Sequence, residues 1–546
     1  MSAFTKTTAS IGAAALLIAL AACSAEPASS STDATPVSGG TLTFASGDAE
    51  PTCLDPAQSG NVPQALVSTQ YIESLFYQSE DGEIEPWLAS GWELSEDGLD
   101  YTITAQSGIS FSDGTAFDAE AIKANIDYIR DPATKSSTGA YALAKVDSVE
   151  VTDNTTAVIH LTSPDSALLE SLSQVWLPIQ SPTALERGLE ANCESPVGTG
   201  PFIVESWEKQ SSITLVRNDD YTSPPPGASH TGPAYLDSIV WKFIPDDASR
   251  FAALQTGEVD VVDRVAPESL AALEADSSLT FEGSSRPGYP ESLVLNSTKA
   301  PFDDVKVREA FIRSLDIDAG LESVYFGSVD RSNSVLSTAT KYGIETPDAY
   351  STDVDKAKEL LDEAGWTLGS DGIREKDGES LTVSFLINGD QVLAAQKALY
   401  EQFQASAKQV GIEVKLNSVD VATRYAQLAE WDYDIASAYY TKNSADVLRL
   451  IFDSANTELV GGYHSNTTGI ADKDVDKLLR AAAESADEDE RTDLYAEAQE
   501  IVAAGYYQVP IFDQQTRLGI KNTVVHGTRV IPALSLPTFY DSWLTR

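Results

Sequence analysis

From Thr41 to Phe512 the chain keeps switching between the two hydrophobic periods of regular structure, and that alternation constrains its fold more than any other feature. Residues 41–45 and 101–106 alternate apolar and polar like half-buried strands. Segments 146–151 and 157–161 flank Asp153-Asn154 and read as a hairpin. Asp118 heads a helix whose Ile122, Ile126 and Ile129 fall on one face, and the helix stops before Pro132. Helical spacing then covers 303–315, 353–364, with Asp353 at its start and Gly365 just past its end, and 391–410. Ile412, Val414 and Leu416 alternate as a strand; after a short helix, 432–440 does so again. Segments 474–484 and 488–504 are helical, and 508–512 reads as a returning strand. A chain of 546 residues built this way is mixed α/β with more than one core and no internal repeat.

Charge and composition narrow the function classes. With 36 Lys+Arg against 83 Asp+Glu, the net charge is −47, which excludes a nucleic-acid-binding face. At 42% hydrophobic and 22% charged residues, neither disorder nor a polytopic membrane protein fits. Reactive side chains are few (three Cys, four His, one Met), whereas 8 Trp, 21 Tyr and 17 Phe make the chain rich in aromatic surface. The contrast favours recognition over catalysis, and no cofactor is expected.

The N-terminus carries one cation, Lys6, then the uncharged run 11–20, too short to span a bilayer and proportioned like a secretory signal. It ends in Leu20-Ala21-Ala22-Cys23. These residues resemble the lipobox of bacterial lipoproteins, which implies cleavage after residue 22 and a diacylglyceryl group on Cys23, two acyl chains being what stable anchoring needs. The alternative is an ordinary signal peptide with a chance cysteine. Residues 23–40, rich in Ser, Pro, Ala, Thr and Gly, form a flexible tether reaching at most roughly 60 Å. Of the remaining cysteines, Cys53 and Cys193, an exported chain is expected to make a disulfide. No CxxC or HExxH offers a metal site, and the four His stand apart in sequence.

An ordered series of phrases then carries a family resemblance. It runs through Gly39-Gly40-Thr41-Leu42, Cys53-Leu54-Asp55-Pro56, Tyr71-Ile72-Glu73-Ser74-Leu75, Pro86-Trp87-Leu88-Ala89-Ser90-Gly91-Trp92-Glu93 and Phe111-Ser112-Asp113-Gly114. Gly198-Thr199-Gly200-Pro201-Phe202, Arg217-Asn218-Asp219-Asp220-Tyr221, Leu254-Gln255-Thr256-Gly257-Glu258-Val259-Asp260 and Lys356-Ala357-Lys358-Glu359-Leu360-Leu361 follow in order. Over about residues 39–540 the chain resembles the family 5 extracellular solute-binding proteins, the dipeptide, oligopeptide and nickel type that serve ABC importers. The resemblance implies a two-lobed periplasmic-binding-protein-like α/β fold (type II, cluster C) with an extra subdomain in the first half. On this sequence lobe I takes 41–60, 190–290 and 508–546, the extra subdomain 61–189, and lobe II 291–507, with Cys53 and Cys193 together in lobe I.

The same resemblance implies a monomer, lipid-anchored on the extracytoplasmic side, that captures short peptides by hinge closure. Its partners are ABC permease subunits with a separate ATPase. Peptide-binding members hold the ligand backbone against a strand after the Leu-Asp-Pro phrase, which here is Ser59-Gly60-Asn61-Val62, so that Gly60, Asn61 and Val62 are candidate ligand contacts. The other lobe brings Tyr439, Tyr440, Thr441, Asn443 and Asp446. In a strand only one of Tyr439 and Tyr440 faces the cleft, and a cleft Tyr suits a peptide, a sugar or an opine. The position of the Asp that pairs with a peptide's ammonium falls on Asn443, which has no charge to give, leaving Asp446 or another carboxylate to take over. This departure keeps a non-peptide cargo open: an opine, an oligosaccharide or a metal chelate. His464 is the one His in a lobe II loop where cargo approaches, while Trp207, Trp241 and Trp431 are expected in the core. A secreted hydrolase is the remote alternative. Ser206-Trp207-Glu208-Lys209 satisfies Ser-x-x-Lys formally but follows a strand, and no Gly-x-Ser-x-Gly elbow occurs.

Overall fold

Two large sheets divide the alternating segments between them. In the computed structural model, which describes residues 35–58, 61–389, 392–459 and 464–545, the larger sheet has seven strands. Their order is Thr280–Ser285, Gln515–Ile520, Val261–Val262, Thr41–Ser46, Ser238–Phe243, Ser212–Arg217 and Phe202–Glu208. A five-stranded sheet runs Glu413–Val419, Thr382–Asn388, Ile435–Thr441, Gly288–Leu295, Gln508–Phe512. The region between Val62 and Leu189 contributes a four-stranded sheet, Ala89–Leu94, Asp100–Ala105, Thr156–Leu161, Val146–Val151, whose apolar core is continuous with that of the seven-stranded sheet.

Local sequence explains the elements. Strand Thr382–Asn388 pairs in parallel with Glu413–Val419, and helix Ala394–Gln409 is the crossover that a parallel pair requires. Strand Gly288–Leu295 is buried along its whole length because helices cover both faces of its sheet. Leu293 and Leu295 pack with Phe385 and Ile435 on one face, Val294 with Leu386 and Ala436 on the other, as the two-residue period demands. Asp118 accepts from Ala121 N (3.0 Å) and Asp353 from Lys356 N (2.9 Å), so helices Ala119–Arg130 and Val354–Glu363 begin where their acidic caps stand.

The molecule is two-lobed, and the chain passes between the sheets at Arg286-Pro287 and again at Asp513-Gln514. Arg286 N donates to Gln514 O (2.6 Å), stitching the crossovers together. Gly288 (φ 112°) begins the lobe II strand; a Cβ there would stand 2.2 Å from Tyr440 O, so only glycine admits this approach. Sheet membership moves two edges of the division read from sequence. Residues 288–290 and 508–512 pair into the five-stranded sheet, because a strand joins the sheet that satisfies its hydrogen bonds, wherever the chain crosses. The tether also ends earlier than expected: Gly39 N and Gly40 N already bond to Tyr235 O and Asp237 Oδ2 (2.7 and 3.0 Å). Cys23 lies outside the described residues.

Cys53 and Cys193 form a disulfide with a Cα–Cα distance of 4.8 Å, closing a separation of 140 residues. Beside it, Asp55 is wholly buried and accepts from Ala57 N, Gln58 Nε2, Tyr128 Oη, Gln180 Nε2 and Asn192 Nδ2 at 2.6–3.0 Å. Five donors offset the desolvation of that carboxylate, and the Leu-Asp-Pro segment is thereby clamped to the extra subdomain.

Candidate ligand-binding cleft

The clamped segment leads into the wall of the cleft. Asn61 Oδ1 accepts from Gln64 N (3.1 Å) and Pro63 occupies the first turn, so helix Val62–Ser68 begins here, where a ligand-pairing strand was expected. Asn-x-Pro at a helix start is a favoured cap arrangement, and it overrides extension. Val62 and Ala65 line a small cavity together with Trp176, Arg286, Thr441, Leu534 and Leu536. Leu534 and Leu536 also line a neighbouring small cavity, with Thr69, Ile72, Ser74, Trp87, Ser173 and Val175 among its walls. The first cavity has walls from lobe I, the extra subdomain and, through Thr441, lobe II, which places it in the interlobe cleft; the second is lined by lobe I and the extra subdomain. Gly60 lies outside the described residues.

The lobes are closed over these cavities. Ser166 N and Oγ donate to Ala483 O and Ala482 O (3.0 Å each), and Lys341 pairs with Glu83 (2.8 Å). Asn443 belongs to the same seam: its Nδ2 donates to Glu170 O (2.8 Å) and Ser173 Oγ (2.9 Å), and its own carbonyl accepts from Gln78 Nε2 (3.1 Å). The position expected to meet a peptide ammonium is therefore a latch between the extra subdomain and lobe II.

Asp446 does not stand in for it. Buried, it is held by Arg449 through two parallel bonds (2.7 and 2.8 Å) and by Lys442 (3.4 Å). Burial opposes its ionisation, but Lys442 and Arg449 hold the carboxyl below its usual range. Its charge is spent inside lobe II. Tyr439 and Tyr440 take different environments, as neighbours on a strand must: Tyr440 packs against the lobe II core and Tyr439 is half-exposed. His464 is buried, its Nε2 3.0 Å from Ala429 O and its ring 4.8 Å from Trp431, so it is packing and not a cleft residue. Trp241 is buried in the core; Trp207 and Trp431 are only partly so. Ser206 lies within strand Phe202–Glu208 and opens no helix.

Several buried polar atoms around the cleft have no partner among the described residues: Trp176 Nε1, both amide atoms of Gln174, Thr441 Oγ1, Asn443 Oδ1 and the Tyr141 hydroxyl. Buried groups without partners are rare and call for an explanation; of these, Trp176 and Thr441 line the cavity that begins at Val62. Electrostatics at the seam is strained as well. Burial pushes Glu170 up to about 7 against Ser444, Arg491 and Lys442, and burial with the Asp446 charge pushes Asp165 up to about 6. Trp176, Arg286, Leu534 and Leu536 were not anticipated from sequence. The one signal available was Arg286 itself, a scarce cation within five residues of the expected lobe boundary.

Comparison with known proteins fits this architecture. Residues 83–454 match the model of the bacterial extracellular solute-binding proteins, family 5. The chain belongs to this family. As a family 5 solute-binding protein it works as the extracytoplasmic receptor of an ABC importer, with a membrane permease and ATPase, and it is not an enzyme. The glutathione-binding protein GsiB of Salmonella paratyphi A is 31% identical over 462 residues, covering 83% of this chain and 85% of the relative. NikA from Brucella suis, solved with Fe(III)-EDTA, has a TM-score of 0.79 at 26% identity and covers 91% of this chain and 98% of its own. The oligopeptide-binding protein AppA from Bacillus subtilis, solved with a nonapeptide, has a TM-score of 0.77 at 22% identity, covering 94% and 100%. Among the described residues no helix is long and apolar enough to cross a membrane.

Proposed function

We propose that this family 5 binding protein captures short peptides in the interlobe cleft and presents them to its permease in the closed state. The observation that carries the reading is the mainly apolar cavity between the lobes into whose wall Trp176 and Thr441 bring polar atoms without a partner among the described residues. Apolar walls with a few polar groups are the form of a small-molecule site. Cargo stabilises the closed state because only there do both lobes touch it. The likeness to glutathione-binding proteins adds a short peptide to test first.

A second reading has its own support. With Asn443 latched and Asp446 paired, no carboxylate among the described residues lines either cavity to meet a ligand ammonium. An opine, an oligosaccharide or a metal chelate needs none. Isothermal titration of unfolded-and-refolded, ligand-stripped protein separates the readings: glutathione or a mixed dipeptide and tripeptide pool gives saturable heat if the first is right. Saturation by an opine, sugar or chelate alone overturns it.

Lipid anchoring at Cys23 completes the proposal, supported by the lipobox-like Leu20-Ala21-Ala22-Cys23. Cys23→Ser is expected to move the protein from the membrane fraction to the soluble extracytoplasmic fraction. A variant still fully membrane-bound contradicts the anchor.

A further inference from the structure

The cavity that begins at Val62 has a one-sided hydrogen-bonding character. Three of its lining side chains are polar: Trp176, Arg286 and Thr441. The Trp176 indole and the Arg286 guanidinium only donate, and the Thr441 hydroxyl donates freely. Trp176 Nε1 and Thr441 Oγ1 are buried without partners. Arg286 gives Nε to Thr516 Oγ1 (3.1 Å) and has no carboxylate partner among the described residues. An ammonium, itself three donors with no acceptor, finds only the Thr441 hydroxyl to accept from it and meets the like charge of Arg286.

A second guanidinium deepens the imbalance. Arg517, 7% exposed, follows Thr516 on the strand leading out of the crossover, has no ion-pair partner among the described residues, and leaves Nη1 buried without an acceptor. Nearby, Arg264 is matched by Asp48 and Arg250 by Asp247. Burial holds both Arg286 and Arg517 below the usual guanidinium range, with Arg264 acting in the same direction on each and Asp48 and Asp263 opposing it at Arg286, Asp247 at Arg517. Unpaired cations enclosed between lobes are costly, and neither Arg286 nor Arg517 has a carboxylate at ion-pair distance among the described residues.

Resting on the reading of the cleft as a solute site, we propose that cargo is selected by a carboxylate. The carboxylate pairs with Arg286, accepts from Trp176 Nε1 and Thr441 Oγ1, and neutralises a field to which Arg517 contributes. The carboxylate is then the counter-ion that makes closure favourable, and a free ammonium is dispensable. Anionic solutes close the lobes; neutral isosteres bind the open lobes without closing them.

The test compares a tripeptide acid, its C-terminal amide and its N-acetyl derivative by isothermal titration, with succinate and sulfate alone followed by Tm. The expected result is that the acid and the N-acetyl acid bind alike while the amide is weaker by ~10-fold or more, as loss of a charge-assisted pair implies. Arg286→Gln is expected to abolish that discrimination. Arg517→Gln is expected to reduce it, and neither variant should have a lower ligand-free Tm; Arg286→Lys should restore part of the preference. Lys209→Gln, an exposed charge removal, should leave it unchanged. If acid and amide bind equally, the carboxylate subsite is wrong while the peptide reading stands. If no peptide binds but succinate raises the Tm of the wild type and not of Arg286→Gln, the peptide reading falls and the subsite stands. Sulfate stabilising both proteins equally, with no discrimination among solutes, overturns the subsite.

Discussion

Glu73 is expected to be a neutral acid, and replacing it with Gln should stabilise the protein at neutral pH. Its Oε2 accepts from Thr199 Oγ1 (2.8 Å) and Ser223 Oγ (2.6 Å), and its Oε1 lies 2.6 Å from the Tyr221 hydroxyl oxygen. That hydroxyl also lies 2.7 Å from Ser223 O. A carbonyl only accepts, so the single Tyr221 proton goes to Ser223, and the short Glu73–Tyr221 contact needs its proton from Glu73. Burial agrees: it pushes the Glu73 carboxyl from 4.5 up to about 8, against the Ser223 and Thr199 hydroxyl bonds that favour ionisation. A folded pKa raised above the unfolded one contributes stability that is complete below about pH 4.5 and is lost as pH rises through about 8. Between pH 4.5 and 7 the loss is roughly 3 kcal/mol at about 1.4 kcal/mol per unit. Gln reproduces the protonated form, its amide donating to Tyr221 and its oxygen accepting from Thr199 and Ser223. At roughly 2.1 cal/mol/K per residue over about 500 residues, 3 kcal/mol corresponds to about 3 °C in Tm. Calorimetry of wild type and Glu73→Gln at pH 4.5, 6, 7 and 8.5 should show equal Tm at the acid end and a widening advantage for Gln above it. A variant less stable than wild type by a margin that grows with pH would refute the reasoning, because it would mean that an ionised carboxylate is the needed acceptor.

Asp446→Asn strands Arg449 and Lys442 in the lobe II interior and is expected to cost about 3–5 kcal/mol in denaturant unfolding; a variant of normal stability that loses only cargo would return Asp446 to the ligand. The raised Glu170 and Asp165 sit at the seam facing Asp446, Lys442, Arg449, Lys145 and Arg491, and are hydrated when the lobes part. Closure is therefore strongest at low pH and weakens as pH rises through about 6 to 7, which an interlobe fluorescence-transfer pair should report, with Glu170→Gln flattening the upper part of the curve. For Cys53–Cys193, unfolding without reductant should expose no thiol from the pair, and reduction should lower stability by up to about 5 kcal/mol, the chain-entropy value for a loop of 140 residues.

The parts of the fold readable in advance were those set by neighbours in sequence. Asp118 and Asp353 cap the helices they precede, and the 146–161 hairpin turns where Asp153 accepts from Thr155 N. The Gly-Thr-Gly phrase has a cause visible only in three dimensions: a Cβ on Gly198 or Gly200 would stand 2.1 or 2.6 Å from the Tyr71 backbone. Some information was present and went unused. Asn61 followed by Pro63 is a helix-start signature, and Lys442, Asp446 and Arg449 at i−4 and i+3 are spaced to pair with one another. The walls of the cleft were illegible for a different reason. Val62, Trp176, Thr441 and Leu536 come from four distant segments, and no local period records which of them meet when two lobes close.

Capture of a small carboxylate-bearing solute between closed lobes is tested most directly by native mass spectrometry of the protein purified from its own host. The predicted result is a one-to-one complex whose ejected ligand is a short peptide with a free carboxylate, and whose occupancy disappears in Arg286→Gln. A neutral sugar, or a cationic ligand retained by Arg286→Gln, would contradict it.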